Sequence, residues 1–236
     1  MALGTALTAA TVISTTAGNH TISFNAAGVA AVDVINTNQS NLYVCLMGYN
    51  DYANVAPVQD GDHSQIYLRF SEYSSTGSDP LLTITTSDGG SSLHYAIGSG
   101  NDDDGVVGNS TADGSVSFDT IRGDVDTTGT YRNIGLHTNL QSIFIKKQTG
   151  RGSDVFTSNY RTYLAFDGSG LNPLRTVSSV TLRVYADNIG HTNDDFGKII
   201  AVQATALAGS TADYGNCFVA DAVTVTDNAT FFGANF

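Results

Sequence analysis

The sequence contains almost no glutamate or lysine: one Glu, Glu72, and three Lys, Lys146, Lys147 and Lys198. Both residue types are strong helix formers. Thr, Ser, Val, Ile, Tyr, Phe, Gly, Asn and Asp replace them. The β-branched and aromatic members of this group favour pleated strands, whereas Gly, Asn and Asp favour tight turns. The composition therefore predicts an all-β chain with many loops.

Short runs with strand-like alternation recur along the chain, each bounded by Gly, Asp, Asn or Ser. They are Thr21–Phe24, Leu42–Leu46, Gln65–Phe70, Leu81–Thr85, Ser142–Ile145, Tyr160–Phe166, Val177–Tyr185, Lys198–Ala204 and Ala222–Thr226. Short strands at such spacing are typical of an antiparallel β-sandwich or jelly roll. Asn25, followed by an Ala-rich run to Val32, predicts one short helix of about two turns with an asparagine cap.

The segment 88–117 is rich in Gly, Ser and Asp and has few large apolar residues. Such a composition is typical of a connector. It divides the chain into an N-terminal half, residues 1–87, and a C-terminal half, residues 118–236. A chain of 236 residues is long enough for one large β-sandwich or for two small ones.

The formal net charge is −12, which disfavours nucleic acid and anionic membranes as partners because both would repel the protein. No stretch approaches the roughly 18 apolar residues of a membrane helix. The first basic residue is Arg69, so we expect no signal peptide. Cys45 and Cys217 are interpreted either as two small buried apolar residues or as a long-range disulfide.

The C-terminal half carries two linked runs, Tyr160–Asp167 and Val177–Tyr185, joined by a Gly/Ser turn and Asn172-Pro173. Together they resemble the opening strands of the DNRLRE-type, carbohydrate-binding-like jelly-roll domain of phage structural and bacterial surface proteins. Thr211–Gly215 is similar to the Ala-Asp-aromatic turn of that family. The resemblance implies a jelly roll in a virion or cell-surface protein.

The N-terminal half is similar to the closing part of the same family. Phe24–Val32 resembles the helix of its last third, and Tyr67–Tyr73 with Asp79–Thr85 resembles its final hairpin. The family order is thus inverted, which implies either a circular permutation or an exchange of halves between subunits. We expect one composite sandwich, in which strands from Thr21–Phe24 and Gln65–Thr85 share sheets with strands from Tyr160–Tyr185.

Catalytic patterns are not evident. The sequence has no Gly-x-Ser-x-Gly nucleophile elbow, and its histidines are scattered. A glycosidase needs two placed carboxylates, and with a single glutamate this chain would have to use a pair of aspartates. We therefore expect no enzymatic activity and no cofactor.

The only ion-binding candidates in the sequence are calcium ligands in two Asp-rich turns, with solvated acidic turns as the alternative interpretation. They are Asp102, Asp104, Asp194 and Asp195.

A candidate glycan site lies where two tyrosines flank two polar residues. It comprises Tyr49, Asn50, Asp51 and Tyr52. Aromatic platforms with adjacent polar groups suit sugars, although tyrosine at a strand end also serves as a half-buried packing residue. Both interpretations stay open at the level of sequence.

These observations favour a non-enzymatic virion structural protein, and most simply a capsid decoration (cement) protein on the head of a tailed phage. The expected partners are the major capsid protein or other virion proteins, together with further copies of this chain, a trimer being one option. The expected location is the virion surface after synthesis in the host cytoplasm. Two alternatives are a tail-fibre or receptor-binding module that grips host glycans, and a subunit of a self-assembling extracellular filament.

Apolar residues near both ends predict contacts between subunits or with the capsid. They are Leu3, Leu7, Val12, Ile13, Phe231, Phe232 and Phe236. Each exposed aromatic ring would present roughly 150–250 Å² to water, so we expect these ends to be covered. The alternative is that both ends fold back onto their own sandwich.

Deletion of Phe231–Phe236 separates these two outcomes. If the ends make intersubunit contacts, the truncated protein should keep its melting temperature but lose oligomerisation or capsid binding, as measured by light scattering and co-sedimentation. A truncated chain that unfolds, alongside an intact chain that is a monomer and ignores capsids, would contradict the assembly hypothesis.

Overall fold

The structure, a computed structural model, describes residues 2–3, 6–12, 17–56, 63–69, 77–97, 104–110, 117–123, 132–136, 140–147, 156–190, 198–204 and 218–219. The strands of these residues are β1 (Ala2–Leu3), β2 (Thr11–Val12), β3 (Gly18–Ser23), β4 (Leu42–Gly48), β5 (His63–Arg69), β6 (Leu81–Thr86), β7 (Ser91–Tyr95), β8 (Asp104–Ser110), β9 (Arg132–Leu136), β10 (Leu140–Lys147), β11 (Phe156–Phe166), β12 (Val177–Gly190), β13 (Lys198–Gln203) and β14 (Phe218–Val219). The helices are α1 (Ala26–Asn38), α2 (Tyr49–Ala53) and α3 (Phe118–Gly123).

The strands pair antiparallel throughout the described residues, and the all-β sandwich class predicted from composition is confirmed. The main path of hydrogen-bonded neighbours is β2-β13-β4-β11-β10-β5-β12-β6-β7, with β3 beside β12 and β8 beside β11. β9 pairs with β8, and β1 pairs with β14 as a separate two-stranded sheet.

Two long strands organise these sheets. β12 pairs with β6 along Val177–Arg183, with β3 along Thr181–Ala186 and with β5 along Ala186–Gly190. β11 pairs with β10 in its first part and with both β4 and β8 in its second. The prediction that strands of the N-terminal half share sheets with Tyr160–Tyr185 is therefore confirmed.

Helix α1 begins where the sequence indicates. The side chain of Asn25 accepts a hydrogen bond from the backbone N–H of Gly28 at 2.8 Å, which caps the first turn. The predicted length of two turns was wrong, because the helix continues through Asn38 over 13 residues. Its later residues include β-branched and Asn positions of low helix propensity. Packing of Val32 against the sheet core stabilises them instead.

The segment expected to be a connector contains two strands, β7 and β8. β7 follows β6 through a turn in which Gly89 has a φ of +85°, a left-handed conformation that glycine adopts without strain. Its sequence, Ser-Ser-Leu-His-Tyr, has too little apolar alternation to predict a strand. Backbone hydrogen bonds to β6 make it one, since pairing requires no particular side chain.

The core is mainly aliphatic, with Phe24 and Phe166 as its aromatic members, and Val29, Ala31 and Ile35 of α1 pack against it. The apolar and alternating positions of the best-defined strand runs predict six core residues: Phe70, Leu68, Ile84, Phe166, Leu182 and Val184. Five of them, Leu68, Ile84, Phe166, Leu182 and Val184, are at most 1% exposed, and for these the prediction is confirmed. Phe70, predicted with them, lies outside the described residues.

The N-terminal segment crosses α1 and enters this core. Leu7 is fully buried in the chain's own core, and its backbone bonds to Ala201 and Asn25 at 2.7 and 2.8 Å. A Cβ at Gly28 would lie 2.2 Å from the Leu7 carbonyl oxygen, so glycine permits the crossing. The intersubunit contact predicted for Leu7 is wrong, because its side chain is fully buried within its own chain.

The other terminal residues are placed only in part. Leu3 pairs with Phe218 and Val12 pairs with Lys198 through their strands. Ile13, Phe231, Phe232 and Phe236 lie outside the described residues, so their predicted contacts stay predictions.

Truncation of Phe166 tests the core. Phe166→Ala should lower the free energy of unfolding by about 3–5 kcal/mol, because the cavity left in a packed interior adds to the lost burial. Leu174→Ala is the control, since Leu174 is 93% exposed and should be neutral. Urea unfolding followed by circular dichroism measures both, and a loss below about 1 kcal/mol for Phe166→Ala would contradict the strand assignment.

Candidate functional site

Four adjacent strands, β3, β12, β6 and β7, present one side to solvent. Their register aligns residues in rows across the sheet: Ser23 pairs with Thr181, Thr181 with Thr83, and Thr83 with Leu93. Neighbouring positions such as Leu182 and Ile84 are buried, since successive side chains of a strand point to opposite faces. The rows therefore lie on the side away from the core.

We call this surface the outer face. It comprises Asn19, Thr21, Ser23, Thr83, Thr85, Ser91, Leu93, Tyr95, Ser179, Thr181, Arg183 and Tyr185. Most of these side chains end in a hydroxyl group, and none of these positions holds Asp or Glu. In a chain whose net charge is −12, the outer face is thus a patch of low negative charge.

An ion pair borders the outer face at the β5 side. Arg69 donates from Nε to Asp187 Oδ1 at 2.7 Å, and a terminal guanidinium nitrogen contacts the same oxygen. The guanidinium also lies 4.3 Å from the centre of the Tyr185 ring, within the range of a cation–π contact. This arrangement holds the Tyr185 ring in place and neutralises the carboxylate of Asp187.

The opposite border is the edge strand β7. Leu93 and Tyr95 are 59% and 47% exposed there, so the edge is apolar as well as uncharged. Edge strands that remain isolated in solution usually carry lysine, proline or another charge that discourages association. β7 has none of these, which indicates a surface suited to contact with another molecule.

The predicted glycan segment lies in α2 and is only partly accessible. Asp51 is fully buried and accepts two hydrogen bonds from the fully buried Arg161, from Nε at 2.6 Å and from a terminal nitrogen at 2.7 Å. Tyr52 is 6% exposed, and burial, with a smaller effect of Tyr49, raises the pKa of its hydroxyl. Asn50 donates to the Val55 carbonyl at 3.2 Å.

Asp51 and Tyr52 are therefore internal, and Tyr49 and Asn50 alone of the four keep partial access to solvent. The carboxylate predicted to contact a glycan instead neutralises Arg161. Arg161 alternates with apolar positions along its strand, which predicts an ion pair or a turn contact for it, and the structure shows the ion pair. Residues 51 and 161 are far apart in the sequence, so no local signal could have matched them.

The predicted calcium ligands are largely outside the described part of the chain. Asp104 begins β8, whereas Asp102, Asp194 and Asp195 lie beyond the described residues. Within the described ranges, no group of three or more His, Cys, Asp or Glu side chains is close enough to hold a metal ion. Cys45 is fully buried on β4, and Cys217 is outside the described residues.

Among the described residues, no helix combines the length and the apolar character needed to cross a membrane. Comparison of the chain with protein-family models, curated proteins and solved structures found no match. The resemblance to the DNRLRE-type domain therefore stays a prediction.

Sequence reasoning did not identify the outer face. The signal was present as hydroxyl residues alternating with apolar ones in Leu81–Thr86 and Val177–Tyr185. Alternation shows that each strand has a polar side, but it does not show which strands lie next to one another.

The buried ion pair gives a stability test. Arg161→Met should destabilise the protein by about 3–5 kcal/mol, because it leaves the Asp51 carboxylate buried without its cation. The double variant Arg161→Met/Asp51→Leu should recover part of that loss. Arg175→Met is the matched control, since Arg175 pairs with Asp88 at the surface and should matter little. Equal unfolding midpoints for Arg161→Met and Arg175→Met would contradict the role assigned to the pair.

Proposed function

We propose that this protein is a non-enzymatic structural protein of a phage virion, a decoration protein that binds the outside of the head. The outer face, with its β7 edge, is the surface that docks onto the capsid. Two observations support the proposal. The sequence resembles phage structural domains in inverted order, and the two halves of the chain pair through β12 in one sandwich.

The observation that carries the proposal is the contrast between the outer face and the rest of the chain. A net charge of −12 keeps copies of the protein apart in solution. The outer face avoids that repulsion, since its positions hold no carboxylate and the bordering Asp187 is paired with Arg69. It also combines exposed Leu93 and Tyr95 with rows of hydroxyl groups, which can donate and accept hydrogen bonds across a flat contact.

Binding through a surface of this kind requires no conformational change. Hydrogen-bonded strands fix the relative positions of the hydroxyl groups, so little conformational entropy is lost on binding. Specific interfaces bury about 800 Å² per partner, and four strands of five to fourteen residues offer an area of that order. The same rigidity suits a protein that strengthens a particle by bridging neighbouring subunits.

A charge placed on the β7 edge tests the docking surface. Leu93→Glu should weaken binding to decoration-free capsids at least tenfold, because it puts a carboxylate into a contact surface that holds none. Val34→Glu is the matched control: Val34 is 58% exposed on α1, against 59% for Leu93, and lies away from the outer face. Co-sedimentation with capsids measures binding, and thermal melting checks that both variants fold.

Equal binding by the two variants would contradict the docking surface. Mass spectrometry of purified virions tests the broader proposal separately. Finding the protein among tail components would favour the receptor-binding alternative, and its absence from virions would refute both.

A further inference from the structure

Arg183 lies in the middle of the outer face. Its strand, β12, runs between β3 and β6, and the register pairs Arg183 with Thr21 on one side and with Leu81 on the other. No position of the outer face holds a carboxylate, so the face itself does not cancel the charge of this guanidinium. We infer, on the basis of the proposed docking to a capsid, that Arg183 binds a carboxylate of the capsid surface, an Asp or Glu side chain.

Arg183 differs from the other arginines whose side chains the structure describes. Arg69, Arg161 and Arg175 each pair with an aspartate of the same chain. Within the described residues, Arg183 makes no ion pair with any Asp or Glu side chain. The chain has 22 acidic residues and only 10 basic ones, so acidic partners are plentiful. An arginine that is left without one therefore indicates a contact outside the chain.

The guanidinium reaches solvent through its terminal nitrogens. Arg183 is partly exposed, and Nε is the nitrogen of its side chain that is buried without a hydrogen-bond partner in the described part of the chain. Nε lies below the surface, so we do not expect a partner to reach it. The terminal nitrogens remain as donors, and their planar fork matches the two oxygens of a carboxylate.

The surroundings of Leu81 indicate that the Arg183 side chain is ordered before binding. Leu81 is 6% exposed, although it lies on the same side of the sheet as Thr83. Its burial requires that adjacent side chains lie over it, and the register places Arg183 and Tyr95 next to it. An arginine whose stem lies along an apolar surface loses less conformational entropy when its charged end is bound.

Two carboxylates of the chain belong to this region of the sheet, and neither neutralises Arg183. Asp187, further along β12, pairs with Arg69. Asp79, just before β6, is 7% exposed and makes no ion pair with Arg183. A carboxylate that arrives from a partner therefore meets a cation whose charge is not already compensated.

A protein carboxylate suits this position better than the phosphates of a nucleic acid. A nucleic acid presents many phosphates, and a protein with a net charge of −12 would repel it. A single carboxylate instead meets one cation among hydroxyl groups such as those of Thr21 and Thr181, which can donate to its other lone pairs. Charge complementarity at one point also fixes the register of an otherwise flat contact.

Replacement of Arg183 tests the contact. Arg183→Met should weaken binding to decoration-free capsids at least tenfold in co-sedimentation at about 50 mM salt, where charges are weakly screened. Arg175→Met is the matched control: it removes the same charge outside the outer face and should leave binding unchanged. Arg183→Lys keeps the charge but loses the fork, so it should bind with intermediate affinity. Thermal melting checks folding, and Arg183→Gln, with the same expected loss, replaces Arg183→Met if that variant is destabilised.

Neutralising the carboxylates of the capsid identifies the group that Arg183 binds. Capsids treated with a carbodiimide and methylamine carry amides in place of their surface carboxylates. On treated capsids, Arg183→Met and the unmodified protein should bind equally, and Arg175→Met should bind like both. Each comparison uses the same capsids, so the general change in capsid charge cancels and only the coupling between Arg183 and the carboxylates remains.

The outcomes separate this contact from the docking surface itself. Equal binding of Arg183→Met and Arg175→Met to untreated capsids, with Leu93→Glu still impaired, would overturn the contact and leave the docking surface standing. A loss for Arg183→Met that persists on treated capsids would also overturn it, because the bound group would not be a carboxylate. No binding of the unmodified protein to untreated capsids would overturn both proposals.

Discussion

The pairing of β12 with β3, β5 and β6 is the interaction on which the rest of the structure depends. These three partners precede the 88–117 segment in the chain, whereas β12 follows it. Neither half can therefore complete its sheet alone, and many contacts join residues distant in sequence. Such a topology predicts cooperative unfolding, because loss of β12 exposes the core-facing residues of three other strands at once. It also orders the outer face, since β12 sets the register on both of its sides.

The buried pair between Arg161 and Asp51 adds a second long-range constraint. Its two hydrogen bonds connect β11 to the short helix α2 across the interior. Removing two charges from water is expensive, and their mutual attraction offsets that cost only when the geometry is good. The bidentate contact meets this condition and fixes where α2 sits after β4. It also explains why a segment that reads as an exposed Tyr-Asn-Asp-Tyr turn is half internal.

Three arginines of the described chain are neutralised by aspartates: Arg69 by Asp187, Arg161 by Asp51 and Arg175 by Asp88. With only 10 basic residues against 22 acidic ones, this leaves little positive charge for the surface. The outer face, in contrast, holds Arg183 and no carboxylate. A patch without carboxylates on an acidic protein is where a partner meets the least repulsion, and the docking proposal rests on that distribution.

Sequence alone determined the class of fold and much of the core. Scarcity of Glu and Lys, alternation in runs such as Val177–Tyr185, and the Asn25 cap act through neighbours a few residues away, so they can be read without a structure. The resemblance in inverted order also led to the expectation that the halves pair. Only the tertiary structure decided the full length of α1, the strand β7, the burial of Leu7 and the partner of Asp51. Each of these depends on contacts between residues distant in the chain, where packing and backbone hydrogen bonds override local preference. The outer face belongs to the same category, because side-by-side placement of β3, β12, β6 and β7 turns isolated hydroxyl groups into a surface.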